Sequence, residues 1–192
     1  MKKFIMVVLV GLMTLFSTTV FAQVEGANAQ IERVNMFGVN PLGLVFNIYS
    51  GHYGKIINDG ANEVNIPFFY WSPTDDLTIL GGGAKYRFYK DRNGKGVFYG
   101  GGLTVYRLDW EYKYYDYDSY PYTYKTESIK STTFSPQGEV GYRWSWDNGF
   151  TLAPTISLGF VIGEVKSSTG EEAEYGSSGL AWGLGLGLAY MW

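Results

Sequence analysis

His52 is the only histidine in the chain, and an imidazole is the side chain best suited to moving a proton near neutral pH. Ser50 stands two residues earlier, on the same side of any strand through this stretch, and Glu63 follows on the next candidate strand. Serine, histidine and carboxylate are the parts of a hydrolase, here one acting on membrane lipid. Such chemistry needs the base within hydrogen-bond reach of the nucleophile and oriented by a third group. A spacing of two does not impose that, and Ser50 lies beside a predicted turn. No catalytic residue is therefore assigned, and the chain is not expected to be an enzyme. With one histidine and no cysteine, a metal would have only carboxylates for its other ligands, so no metal or other cofactor is expected.

A second set of residues carries charge into segments that otherwise alternate apolar and small. Glu63, Lys85, Arg87, Glu139 and Arg143 all fall on the small-residue side of that alternation. Glu139 and Arg143 share a face but sit roughly 13 Å apart along a strand, so each should pair with a neighbouring strand. Charges enclosed in a narrow interior must be paired. The set then forms either a polar plug in place of an apolar core, or a narrow path for ions or small solutes.

A third set is Tyr112, Tyr114, Tyr115, Tyr117, Tyr120, Tyr122 and Tyr124, interleaved with Lys113, Asp116, Asp118 and Lys125. Tyrosine offers a large contact area with a polar tip at low entropic cost, so the loop 111–125 is a candidate recognition surface for an extracellular partner. A period-2 run on both sides of Ser119-Tyr120-Pro121 fits equally well with two strands that continue past a membrane interface. The second long loop, Gly170-Glu171-Glu172-Ala173-Glu174, is acidic and reads as solvated. Gly81-Gly82-Gly83 and Gly100-Gly101-Gly102 lack the Lys-Ser/Thr and the helix of a phosphate loop; in-strand glycines of this kind relieve crowding.

The elements that must position these residues are strands. From Ala181 to Trp192 the large residues Trp182, Leu184, Leu186, Leu188, Tyr190 and Trp192 alternate with small ones, giving a ribbon with one apolar face and one nearly bare face. The same alternation runs through Asn62–Trp71, Leu77–Lys90, Val97–Tyr112, Thr132–Trp146 and Phe150–Ile162. In Val97–Tyr112 the apolar parity switches from Val97, Tyr99, Leu103 and Val105 to Leu108 and Trp110, which predicts a bulge near Tyr106–Arg107. Short turns at Asn58–Ala61, Asp91–Gly94 and Asp147–Gly149 carry the Asn, Asp and Gly of hairpins. Longer polar stretches, 113–130 and 166–177, lie between them. Six strands follow Asn62, and an even number is needed for an antiparallel ring. The region before Asn62 is therefore split into a strand near Val34–Phe46, a tight turn near Asn47–Tyr49, and a strand near Tyr49–Ile57.

Lys2 and Lys3, the apolar run Phe4–Phe16 and small residues leading to Ala22 describe a secretory signal peptide, residues 1–22. Residues 23–33 read as a short periplasmic lead, and 34–192 as the barrel domain. Removing Lys2 and Lys3 takes the basic count from 15 to 13 against 18 acidic residues, a net charge of −5. That balance, without a basic patch, argues against nucleic acid. Beyond the signal no apolar run is long enough for a membrane helix. Lipid tolerates only helices or closed barrels, and the strands with 18% aromatic residues and 26 glycines fit a barrel with aromatic girdles. The expected fold is all-β: an eight-stranded antiparallel transmembrane up-and-down barrel.

Asn40-Pro41-Leu42-Gly43-Leu44, His52-Tyr53-Gly54-Lys55, Gly141-Tyr142-Arg143-Trp144 and Asp147-Asn148-Gly149-Phe150 resemble the small bacterial outer-membrane β-barrel superfamily. That superfamily includes the OmpA transmembrane domain, OmpX and opacity-type proteins, and the likeness is to an uncharacterised subgroup. The terminal Tyr190 and Trp192 are similar to the signal by which the barrel assembly machinery recognises its clients. The resemblance implies a place in the outer membrane of a Gram-negative cell envelope, with lipid and that machinery as partners, and no shared activity. The expected role is structural or surface-interaction, with transport through a narrow lumen as the alternative.

Overall fold

The computed structural model describes residues 33–116, 123–167 and 179–192. They form eight antiparallel strands in one closed ring, in chain order: β1 (Asn35–Val39), β2 (Ile48–Ile57), β3 (Asn62–Thr74), β4 (Leu77–Tyr89), β5 (Gly96–Asp116), β6 (Thr123–Ser145), β7 (Phe150–Ser167) and β8 (Gly179–Met191). A one-turn helix, α1 (Pro41–Leu44), sits between β1 and β2. The proposed signal peptide 1–22 and all but the last residue of the lead 23–33, with Tyr117, Tyr120, Tyr122 and the acidic loop 170–174, lie outside the described residues.

The ring closes where the chain ends. β1 pairs with β8 from Met36↔Met191 to Val39↔Leu188, and Asn35 and Trp192 exchange both backbone hydrogen bonds, at 3.1 and 2.9 Å. The turns at this end are short, and positive φ at Asn58 (54°), Asp59 (51°) and Gly60 (88°) reverses the chain between β2 and β3. Such angles favour Asn, Asp and Gly, the residue types that mark this turn in the sequence.

Two local expectations are corrected. β1 stops at Val39 rather than running to Phe46, and the turn is not a tight one at 47–49. Pro41 lacks an N–H for a strand ladder and sets φ near a helical value, so the chain coils into α1 and returns through Asn47 (φ 58°). The bulge expected near Tyr106–Arg107 is absent, because β5 keeps unbroken register with β4 from Tyr89↔Phe98 to Leu77↔Trp110. What changes there is the chemistry of each side, not the backbone. Beyond Val105 the outward positions become Arg107 and Asp109, an ion pair at 3.4 Å, and the large side chains Leu108, Trp110 and Tyr112 take the inward parity. A register irregularity does occur, between Trp71 and Thr74 where β3 turns into β4.

Around the rest of the ring the alternation holds. Outward positions carry Phe68, Leu80, Tyr99, Val140, Ile156, Leu158, Leu184 and their like, all exposed, with Trp182 at 73%. Inward positions carry mostly small or polar residues, and among the described residues the buried apolar clusters are narrow. Met36, Ile56 and Met191 pack at the end that holds the termini, and Tyr89, Phe98 and Ala153 form a second group.

Candidate functional site

The interior carries its charges where the strand parity puts them. Glu63 on β3, Arg87 and Lys85 on β4, and Glu139 and Arg143 on β6 all face the lumen and are linked. Arg87 is the hub: its Nη1 donates to Glu63 Oε1 at 3.0 Å and its Nε to Glu139 Oε1 at 2.5 Å. Lys85 Nζ reaches Glu139 Oε2 at 2.8 Å, and Arg143 Nη2 reaches Glu63 Oε2 at 2.7 Å. Arg143 and Glu63 stand on strands that are not neighbours, so this bridge crosses the lumen. Glu139 and Arg143 do not pair with each other, consistent with their separation along β6.

The network recruits residues that parity could have flagged but charge did not. Tyr89, two residues beyond Arg87 on the same face, donates its hydroxyl hydrogen to Glu63, and Asn65 Nδ2 donates to Glu63 Oε1 at 2.9 Å. Glu63 is thus fully buried with four partners. Arg87 lies 4.7 Å from the centre of the Phe98 ring, and Arg143 lies 5.2 Å from that of Tyr89. These are cation–π distances. The rings cover guanidinium faces that carboxylates do not reach, and Arg143 Nε and Nη1 have no hydrogen-bond partner among the described residues.

The glycine run on β5 makes the network possible. Arg87 and Glu139 flank Gly100 on either side, and Lys85 pairs with Gly102. The side chains of β4 therefore cross a strand that has none at that height. A Cβ at Gly100 would stand 2.3 Å from the Tyr86 carbonyl oxygen. Gly100→Ala is expected to destabilise the barrel by about 1–3 kcal/mol, the usual cost of overpacking, read as a lower midpoint of urea unfolding.

Ser50 and His52 both face the lumen, on the far side of the network from the termini, and border a cavity of about 270 Å³. Asn40, Tyr106 and Gln137 line it too, with Gln137 Nε2 donating to the Tyr106 hydroxyl at 2.9 Å. Ser50 Oγ has no hydrogen-bond partner among the described residues, so it is not paired with His52, and Glu63 is already held by Arg87 and Arg143. Nucleophile, base and acid are not assembled.

Of the tyrosine stretch, Tyr112 and Tyr114 lie on the inward parity of the β5–β6 hairpin, which rises beyond the rest of the ring. Trp110, Tyr112 and Tyr114 form a ladder with ring centres 5.5 and 6.1 Å apart, and the Tyr112 hydroxyl donates to Glu127. Tyr115 pairs in the ladder with Tyr124, which faces the other way and is exposed. The described tyrosines are therefore strand residues divided between two faces. Tyr190 and Trp192 face outward at the rim beside the ring closure.

No known protein family, curated protein or solved structure matches the chain.

Proposed function

We propose that this chain is an exported outer-membrane barrel of structural or surface-interaction type, whose lumen is closed by the Glu63–Arg87–Glu139 network and which has no catalytic role. The observation that carries this reading is the inversion of the ring. Its outside is a continuous band of exposed aliphatic and aromatic side chains, while its inside holds the buried charges. In water such a band would be an aggregation surface far larger than a monomer normally shows. In a bilayer it is the lipid-facing wall, and Tyr142, Trp144, Phe150, Tyr190 and Trp192 near the termini suit an interfacial girdle. The switch at Val105 has its reason there: above the hydrocarbon the outward side meets water, so Arg107 and Asp109 replace leucine and tyrosine.

In this reading residues 1–22 direct export, Tyr190 and Trp192 present the end of the barrel to the assembly machinery, and the tyrosine-bearing hairpin stands outside the cell as the surface for a partner. Eight strands leave an interior just wide enough for side chains, which favours the plug over the pore. Purified protein refolded into a planar bilayer should show no steady single-channel current, and steady currents would overturn the plug. The barrel itself is tested on a detergent gel. Unboiled and boiled samples should migrate differently, and identical mobility would count against a lipid-stable barrel.

A further inference from the structure

The wall of the barrel is incomplete on one side. β8 runs from Gly179 to Met191, yet β1 covers it only from Leu188 onward. From Gly179 to Gly187 the edge of β8 that faces β1 has no strand beside it among the described residues, because β1 has already turned into α1. β2 stands beyond, paired with β1 only from Gly51 to Lys55. A side-chain hydrogen bond crosses this gap, from the Leu186 N–H to Asn40 Oδ1 at 3.3 Å. Hydrocarbon cannot satisfy a bare strand edge, and α1, one turn long, is the element that lies over it.

The lumen cavity reaches this gap. Its lining includes inward residues, Ser50, His52 and Lys85, together with Phe68, Leu184 and Leu186, whose parity faces outward. The same space borders Asn40 and Ile48 on one side of the gap and Gly183–Gly187 on the other, so it reaches the seam as well as the barrel axis. Its chemistry is graded. The wall side offers Leu184, Leu186 and Phe68, and the inner side offers Ile48 and Lys85. Among the described lumen-facing side chains in the network, Lys85, Arg87 and Arg143 outnumber Glu63 and Glu139 by one. The Lys85 ammonium, with three N–H donors, makes one ion pair. A cavity of about 150 Å³ takes benzene, so the present volume accepts roughly twice as many heavy atoms. That is enough for a polar head and the first part of a chain.

We propose that the β1–β8 seam is a lateral portal, covered by α1, through which a single-chain amphiphile with an anionic head enters the lumen from surrounding lipid. The head group rests at Lys85 and the chain leaves between α1 and Leu184–Leu186. This rests on the reading of the outer band as lipid-facing.

The test uses the full mature chain refolded in non-ionic detergent, with gel mobility as the control for folding. Dodecanoate should displace a fluorescent fatty acid saturably, one per chain, and at least tenfold more tightly than dodecanol. Lys85→Gln should weaken dodecanoate about tenfold and leave dodecanol unchanged. The chain has no cysteine, so Asn40→Cys with Leu186→Cys places a unique thiol pair across the seam. Joining it with a short bifunctional thiol reagent should abolish dodecanoate binding, and reduction should restore it. A folded barrel that binds no dodecanoate, or binds it equally with the seam joined, overturns the portal and leaves the outer-membrane reading standing. A chain that shows no heat-dependent mobility shift fails that reading instead.

Discussion

Glu63→Gln is expected to cost about 3–5 kcal/mol of stability, the range for removing one partner from a buried ion pair. Glu63 is fully buried and accepts from Arg87, Arg143, Tyr89 and Asn65. A neutral amide of the same shape leaves Glu139 to serve Lys85 and Arg87, and Arg143 loses the bridge that spans the lumen. Refolded protein titrated with urea and followed by gel mobility should show the midpoint fall accordingly. Adding Arg143→Met should recover a large part of the loss, because it removes the charge left stranded rather than restoring a contact. A cost under about 1 kcal/mol for Glu63→Gln would mean that water, not protein, solvates these charges, and the plug would be lost as an explanation.

The second large effect separates the outside from the inside. Ile156 lies midway along the outward face of β7, between Phe150 near the termini and Ile162 at the other end, and is exposed. In phospholipid vesicles Ile156→Arg should destabilise the barrel by about 2–4 kcal/mol, the cost of arginine at the midplane of a transmembrane barrel. Leu180→Arg, near the far edge of the band, should cost no more than about 1 kcal/mol, since the penalty fades toward the interface. Equal and small costs at both depths would remove the apolar band from lipid. The comparison is informative because both side chains are already exposed, so neither substitution disturbs packing inside the barrel.

Strand number, parity and ring order were legible because a strand repeats every two residues and the outward and lumen-facing sides carry opposite residue types. Every position from Ala181 to Trp192 could be assigned a side without coordinates. The same parity put Glu63, Lys85, Arg87, Glu139 and Arg143 inside. Legibility failed where the environment, rather than the strand, changed. At Tyr106–Arg107 a parity switch looks the same whether the chain bulges or the strand runs on and its outward side changes from apolar to charged. At Pro41 the proline signalled a break in the strand, but not the turn of helix that replaced it.

Which charges meet was beyond the sequence. Arg143 reaches Glu63 across the lumen because curvature brings strands that are not neighbours within a side chain's length, and Arg87 reaches Glu139 because Gly100 leaves the intervening strand bare. Tyr89 and Phe98 joined the network for the same reason, although neither carries charge. The seam beside α1 is likewise a product of closure: it exists because a short β1 must meet a long β8, and strand length alone does not say which edge stays uncovered. Local periodicity therefore determined what faces inward and what faces outward. The tertiary ring decided which inward groups touch and where the wall is open, because both depend on distances between strands far apart in the chain.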